Sequence, residues 1–268
     1  MNIQKKSIFM LGLLIIVSCR TRAPQPRFGG SPEARQESGD QEKKEQTEKS
    51  TEEPVNSDGE INPHFIVESL CSSNDSNRQQ AKDLLAQMKL GTSPVTVADL
   101  AKSQEDCVLG ILPAALYTEL KKNIPAAVLV GQAIQETGWC KSELAHKAGN
   151  LHGQKASFDA KHFTHWDGES YSHLSSEDPE GQGKNIQRSS FMKFTHFEFS
   201  FFSAAERFSL PGSPYTQCLT EKSRDLDFLN CIGKIWAVDQ NYAQDVAKHF
   251  AFQSKTLGFT LRNCGINH

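Results

Sequence analysis

The chain has 268 residues, with 29 Lys and Arg against 32 Asp and Glu, and a net charge of −3. Its length is enough for one ordinary core. From Ile61 onward it carries 20 basic and 22 acidic residues, a balance that argues against a nucleic-acid partner.

At the N-terminus, Lys5 and Lys6 precede an apolar run from Ile8 to Val17. The run is about ten residues long, well short of the ~18–20 that span a bilayer. It leads into Ile16-Val17-Ser18-Cys19, a lipoprotein signal over residues 1–18 with its lipobox. Cys19 is therefore expected to be the lipidated first residue, anchored by a diacylglycerol and an N-acyl chain, where one chain alone would be marginal. Arg20 is not the acidic residue that favours inner-membrane retention, so the expectation is the periplasmic face of an outer membrane. From Cys19 to residue 62 the chain is polar, with almost nothing to bury. It reads as a disordered tether spanning roughly 35–40 Å as a coil.

Residues 63–268 read as one domain. With Cys19 set aside, Cys71, Cys107, Cys140, Cys218, Cys231 and Cys264 remain. An even set behind an export signal points to three disulfides among fifteen connectivities. Proximity alone favours Cys218 with Cys231. Residues 63–112 form a helical N-terminal part: HFIVESLC, then SNRQQAKDLLAQMKL with Ser76 before its opening turn and Gly91 closing it, then PVTVADLAK.

Next comes AAVLVGQAIQETGW, whose apolar residues recur at three- and four-residue steps behind Pro125 and stop at Gly138. This puts Glu136 at the end of a buried helix. A carboxyl among apolar side chains resists ionisation, stays protonated near neutral pH and can act as a general acid. An arbitrary Glu in a last helical turn is more often a solvated residue. Glu136 differs because Gly149-Asn150-Leu151-His152-Gly153 follows it closely. The stretch SFDAKHFTHWDGESYSHLSSEDPEGQGKNIQ lacks a helical period and suits a long loop or short hairpin across a cleft mouth. After it, helical spacing returns from FSFFSAAERF to VAKHFAFQSKTLGF.

Four blocks carry a resemblance. QAIQETGW (Gln132 to Trp139), GNLHGQKA (Gly149 to Ala156), FMKF (Phe191 to Phe194) and WAVDQNYAQDV (Trp236 to Val246) resemble, in order and spacing, the glucosaminidase domains of glycoside hydrolase family 73, which cut bacterial peptidoglycan. The resemblance covers roughly Pro113 to Phe259. It implies a mainly α fold, α+β and lysozyme-like, with a small β-hairpin or loop lobe over the active-site cleft. It also implies an endo-β-N-acetylglucosaminidase with Glu136 as general acid. Thr137 stands for the usual Ser, Cys140 for Gly, His152 for Phe, and Trp236 for a tyrosine whose phenol is then absent or supplied by Tyr242.

The second carboxylate is expected from the loop, where Asp167, Glu169, Glu177, Asp178 and Glu180 are candidates. Ser175-Ser176-Glu177 most resembles the family's Thr-x-Glu-Tyr, which makes Glu177 the choice. Asn150 and Gln154 offer amides to hydroxyl or N-acetyl groups, Trp166 an aromatic face for a sugar ring, and Trp236 and Tyr242 line the same site. Trp139 is expected in the core, and Phe191, Lys193 and Phe194 in packing. His146, His152, His162, His165 and His173 show no metal-ligand spacing. Neither metal nor cofactor is expected, and the protein is expected to act as a monomer on glycan strands. Two alternatives stand: a muramidase or lytic transglycosylase, with de-N-acetylated glycan as a possible preference, and a wall-binding lipoprotein without turnover.

Overall fold

In a computed structural model of the chain, the described residues are 53–55, 61–177, 185–221, 225–237 and 239–257. The chain divides into two units, Met1–Lys49 and Ser50–His268, and every described residue belongs to the second. The signal segment, Cys19, Asp178, Glu180 and Cys264 lie outside the described residues. No helix among those described is long and apolar enough to cross a membrane.

Backbone pairing begins ahead of the first helix. Val55 bridges Ile61, and the amide of Asn62 donates to the carbonyl of Pro54. Helix α1 (Pro63–Cys71) starts with proline at its first position and Asn62 as its cap. Helix α2 (Asp75–Gln87) is capped by Asn74, two residues ahead of the expected Ser76. The Asn74 side chain accepts from the Ser76 amide. The helix ends at Gln87, so Gly91, at φ +81°, lies in the turn beyond it. Helix α3 (Val97–Leu100) opens on a reciprocal Thr96/Asp99 capping box.

Helix α4 (Gln104–Lys122) runs straight through the boundary expected at residue 112, with Pro113 inside it. An interior proline forfeits a backbone hydrogen bond and costs about 3 kcal/mol. Ile111, Leu112, Ala114, Ala115 and Leu116 around it are fully buried. Each large apolar side chain among them contributes about 1.5–3 kcal/mol, so tertiary burial outweighs the local defect. The N-terminal helices are thus continuous with the core.

Helix α5 (Ala126–Thr137) is buried on every side from Ala126 to Ile134, as an apolar helix at the centre of a core must be. Its N-terminus has no side-chain cap of its own. The buried carboxylate of Glu119 on α4 accepts from the Ala126 amide instead, at 3.2 Å, a favourable charge for that helix end. After α6 (Glu143–Ala148) and a 3₁₀ turn (Ala160–His162), strands β1 (Ser170–Glu177) and β2 (Asn185–Met192) form an antiparallel hairpin. Their register runs from Ser170 opposite Met192 to Glu177 opposite Asn185.

Helix α7 (Glu198–Ser209), a second 3₁₀ segment (Pro214–Glu221), α8 (Asp225–Trp236) and α9 (Tyr242–Leu257) complete the fold. Phe201, Phe208 and Phe228 are the largest fully enclosed side chains. A Cβ built on Gly131 of α5 would meet Val246 of α9 at 2.9 Å from its Cγ1 and 3.3 Å from its carbonyl. The missing side chain lets the two helices approach closely, which sets what α9 can bring to the end of α5.

Candidate active site

Glu136 occupies the last turn of α5, partly open to solvent. Two groups from the far end of the chain converge on a single oxygen of its carboxyl. The indole Nε1 of Trp236 donates to Oε1 at 3.0 Å, and the phenol of Tyr242 donates to the same atom at 2.8 Å. Trp236 ends α8 and Tyr242 begins α9, so the short turn between those helices presents both donors together. The Tyr242 hydroxyl in turn accepts from Nε2 of Gln132 at 3.2 Å. Gln132 is fully buried one helical turn before Glu136, on the same face of α5.

The electrostatics follow from this enclosure. Burial pushes the Glu136 carboxyl up from its ordinary value, while the hydrogen bonds from Tyr242 and then Trp236 pull the other way. Burial and the adjacent carboxylate hold the Tyr242 phenol well above its usual range, so it keeps its proton and serves as a donor. The result is a carboxyl whose protonated form is favoured by burial, with two donors ready for the charge left when a proton departs.

The chain turn beyond Glu136 is unusual. Gly138, Trp139 and Cys140 all lie in the left-handed region, at φ 55°, 66° and 61°, and a non-glycine residue there costs on the order of 1–3 kcal/mol. Thr137 holds the turn: its hydroxyl donates to the Ala133 carbonyl at 2.6 Å and accepts from the Cys140 amide at 2.8 Å. Cys140 is disulfide-bonded to Cys107 on α4, with Cα atoms 5.9 Å apart. Trp139 packs edge-on against Phe252 and His249 of α9. Thr137 and Cys140, two of the departures from the family pattern, therefore belong to one brace behind Glu136.

The Gly149–Gln154 segment forms the opposite wall. Gly153 is left-handed at φ +61°, and a Cβ there would lie 2.8 Å from Glu136 Oε2. His152 points inward: its Nε2 lies 3.2 Å from the Leu129 carbonyl and its Nδ1 2.9 Å from the Ser200 hydroxyl. A carbonyl can only accept, so Nε2 carries the proton and Nδ1 receives the Ser200 hydrogen. Full burial depresses the ring to about 3 and keeps it neutral.

Three residues expected to touch sugar have other partners. Asn150 is fully enclosed and its amide donates to the carbonyls of Gln154 and Met192, both at 2.9 Å. Gln154, 1% exposed, donates to the Ser200 carbonyl and accepts from Ser203. Trp166, 6% exposed, packs with Phe163, Met192 and Phe194, and its indole donates to the Glu169 carbonyl. These contacts join the Gly149–Gln154 wall, the hairpin base and α7, and leave neither amide nor ring face turned to a ligand. Glu177 closes β1 opposite Asn185, and its side chain lies outside what is described. Glu169 pairs with Lys193 at 2.7 Å, and Asp167 accepts from the Glu169 amide. Phe191 and Phe194 are buried as expected.

Gln132 and Gly153 went unnoticed in the sequence. The i, i+4 spacing of Gln132 and Glu136 was the available signal; nothing local marks Gly153 as a neighbour of the carboxyl. Cys218 and Cys231 are disulfide-bonded, as their proximity suggests, and Cys71 also enters a disulfide. Among the described residues no group of three or more His, Cys, Asp or Glu could hold a metal ion. A cavity of about 470 Å³ between α2, the segment that follows it and α4 is lined by Leu84, Met88, Val95 and Leu109 among others, and includes none of the residues around Glu136.

The profile of the glucosaminidase family, described as mannosyl-glycoprotein endo-beta-N-acetylglucosaminidase, matches residues 112–252. No curated protein matches the chain. Solved structures it is similar to include the catalytic domain of the autolysin Auto from Listeria monocytogenes, 22% identical over 69% of this chain and 98% of that one, with a TM-score of 0.48. A peptidoglycan hydrolase mutant from Sphingomonas sp. A1 is 21% identical over 58% and 99%, with a TM-score of 0.47. The glycoside hydrolase domain of FlgJ from Salmonella typhimurium, truncated at its C-terminus, is 16% identical over 57% and 98%, with a TM-score of 0.42.

Proposed function

Given that the chain belongs to the glucosaminidase family, and is with it a glycoside hydrolase, we propose that it cuts the β-1,4 bond on the N-acetylglucosamine side of peptidoglycan, with Glu136 as general acid. The observation that carries this reading is the convergence of Trp236 and Tyr242 on one oxygen of a carboxyl that burial pushes toward its protonated form. Glu136 gives its proton to the glycosidic oxygen as the bond to the anomeric carbon breaks. The negative charge that appears on the carboxyl is met by the indole and phenol donors, which need no rearrangement to receive it. The phenol at 2.8 Å comes from Tyr242, so Trp236 does not leave the site without one, and the motive for a wall binder without turnover falls away.

The second half of the reaction is assigned to Glu177 on the hairpin. It would act on a water if its carboxyl lies about 6.5–9.5 Å from Glu136, or as a nucleophile if near 5 Å. Substrate specificity rests on the family resemblance and on the N-terminal signal: a chain lipidated at Cys19 and tethered by about 40 polar residues meets the wall, not cytoplasmic glycans. Disulfides at Cys107–Cys140 and Cys218–Cys231 belong to an oxidising, extracytoplasmic compartment.

The test is mass spectrometry of borohydride-reduced ends released from intact and de-N-acetylated peptidoglycan, with Glu136→Gln alongside. Reduced glucosaminitol ends, absent with the variant, are the expected result. Muramitol or 1,6-anhydro ends would move the activity to a muramidase or transglycosylase. Wall binding with no product from either glycan would overturn the catalytic reading.

A further inference from the structure

We propose that Gln132 is a positioning residue that turns the phenol proton of Tyr242 toward Oε1 of Glu136, and so reserves Oε2 as the oxygen that carries the transferable proton. This rests on Glu136 acting as the acid, and adds which of its oxygens acts and what selects it.

The argument is a count of donors and acceptors. A Tyr hydroxyl has one proton, and a Trp indole can only donate. Gln132 Nε2 donates to the phenol oxygen at 3.2 Å, so the phenol's own proton is directed to Glu136 Oε1 at 2.8 Å. The Trp236 indole donates to that same Oε1 at 3.0 Å. Two incoming hydrogens occupy the lone pairs of Oε1, and an acid proton placed there would have to displace one of them. Oε2 accepts neither of these donors, and it faces Gly153, where any Cβ would come within 2.8 Å. A glycine thus keeps open the space at the oxygen from which the proton leaves. When it does, the electron pair of the breaking bond stays on the leaving oxygen or passes to the new O–H bond, and the carboxylate charge is shared onto Oε1, where both donors wait.

Gln132 is an expensive residue at its position if packing were its only task. It is fully buried, and its Oε1 has no hydrogen-bond partner; an orphaned buried acceptor costs about 1–3 kcal/mol. An apolar side chain of similar volume would avoid that cost. The opposite orientation of the amide would present its oxygen to Tyr242, draw the phenol proton away from Glu136, and reverse the sign of every effect below.

The experiment is ¹³C NMR titration of the Glu136 side-chain carboxyl in the full mature chain, assigned by its loss in Glu136→Gln, for wild type, Gln132→Met, Tyr242→Phe and the double variant. Gln132→Met removes the amide while keeping length and apolar bulk, and Gln132→Leu is a second variant should the first fold poorly. Loss of the amide weakens the phenol as a donor, so the Glu136 midpoint should rise by about half a pH unit. It should rise further in Tyr242→Phe, and the Gln132 substitution should add nothing in that background. The basic limb of the pH profile of kcat/KM should move up with it. A downward shift, no shift, or the same shift with and without Tyr242 would overturn the proposal. The titration needs no turnover, so it stands or falls separately from the bond that is cut.

Discussion

The turn after α5 and the β1–β2 hairpin are both irregular parts of one domain, yet they are held in opposite ways. Three consecutive left-handed residues at Gly138, Trp139 and Cys140 are fixed by a disulfide, a threonine hydroxyl bonded on two sides and an aromatic cluster. The hairpin is held chiefly by its own backbone ladder and at its base, where Phe191 packs on Leu144 and Ala148, Tyr171 donates to Glu143, and Lys155 bridges Phe191. Farther out, Leu174 is 53% exposed. A two-stranded hairpin has little stability of its own. Strain persists only where surroundings over-determine it, and here it is concentrated directly behind the proposed acid. The comparison teaches that the proposed proton donor is built into the braced part of the domain, and that the hairpin is attached to it at one end.

Substitutions on the two sides should differ by orders of magnitude. The largest effect is expected from Glu136→Gln, which should lower kcat by about 10²–10⁴-fold, the usual contribution of a general acid, with no loss of melting temperature; near-normal turnover would remove Glu136 from the mechanism. Next, Cys107→Ala with Cys140→Ala should lower unfolding free energy by about 3–4 kcal/mol in a urea titration, since 33 residues separate the partners. Cys140→Gly in place of Cys140→Ala should recover about 1 kcal/mol by relieving the left-handed strain. Equal stability of the two double variants would mean that the turn is not strained.

Gly153→Ala combines a left-handed backbone with a Cβ against Oε2. It should cost about 1–3 kcal/mol and lower kcat more than it raises KM, read by steady-state kinetics beside thermal unfolding. His152 gives a pH signature. Its folded pKa, about 3, lies below the ordinary 6.5, so as pH falls the unfolded chain takes up a proton that the native state refuses. Stability is then present above pH 6.5 and lost between about 6.5 and about 3, at up to about 1.4 kcal/mol per pH unit. His152→Phe should flatten that slope in urea titrations across the window; an unchanged slope would assign it to other groups. The smallest effect belongs to the hairpin, where Leu174→Ser should change stability by less than about 0.5 kcal/mol.

Much of the site was legible from short-range signals. The apolar run behind Pro125 with Gly138 as its stop marked α5, and its last turn placed Glu136, because burial and periodicity leave their mark in neighbouring residues. The helical return after the loop was legible for the same reason. Caps were less so: Asn74 and Ser76 both suit a cap, and only the backbone decided which side chain reached the free amides. Helix α4 carries Pro113 in its interior, and the burial that offsets it is displayed by no window of sequence. Asn150, Gln154 and Trp166 could not be placed by their chemistry alone: an amide or an indole has the same donors whether it meets a sugar or the carbonyls of Gln154, Met192 and Glu169.

The sequence by itself determined the buried helix that ends near Glu136 and the mainly helical character of the fold, and favoured the pairing of Cys218 with Cys231, all through residues close together along the chain. The tertiary structure alone decided that Trp236 and Tyr242, 100 and 106 residues beyond Glu136, donate to one of its oxygens. It also decided that Cys140 pairs with Cys107 and that Gly153 faces the other oxygen. Those meetings depend on α9 lying against α5 across Gly131, and a close approach of two helices is a property of both surfaces at once, which neither segment encodes alone.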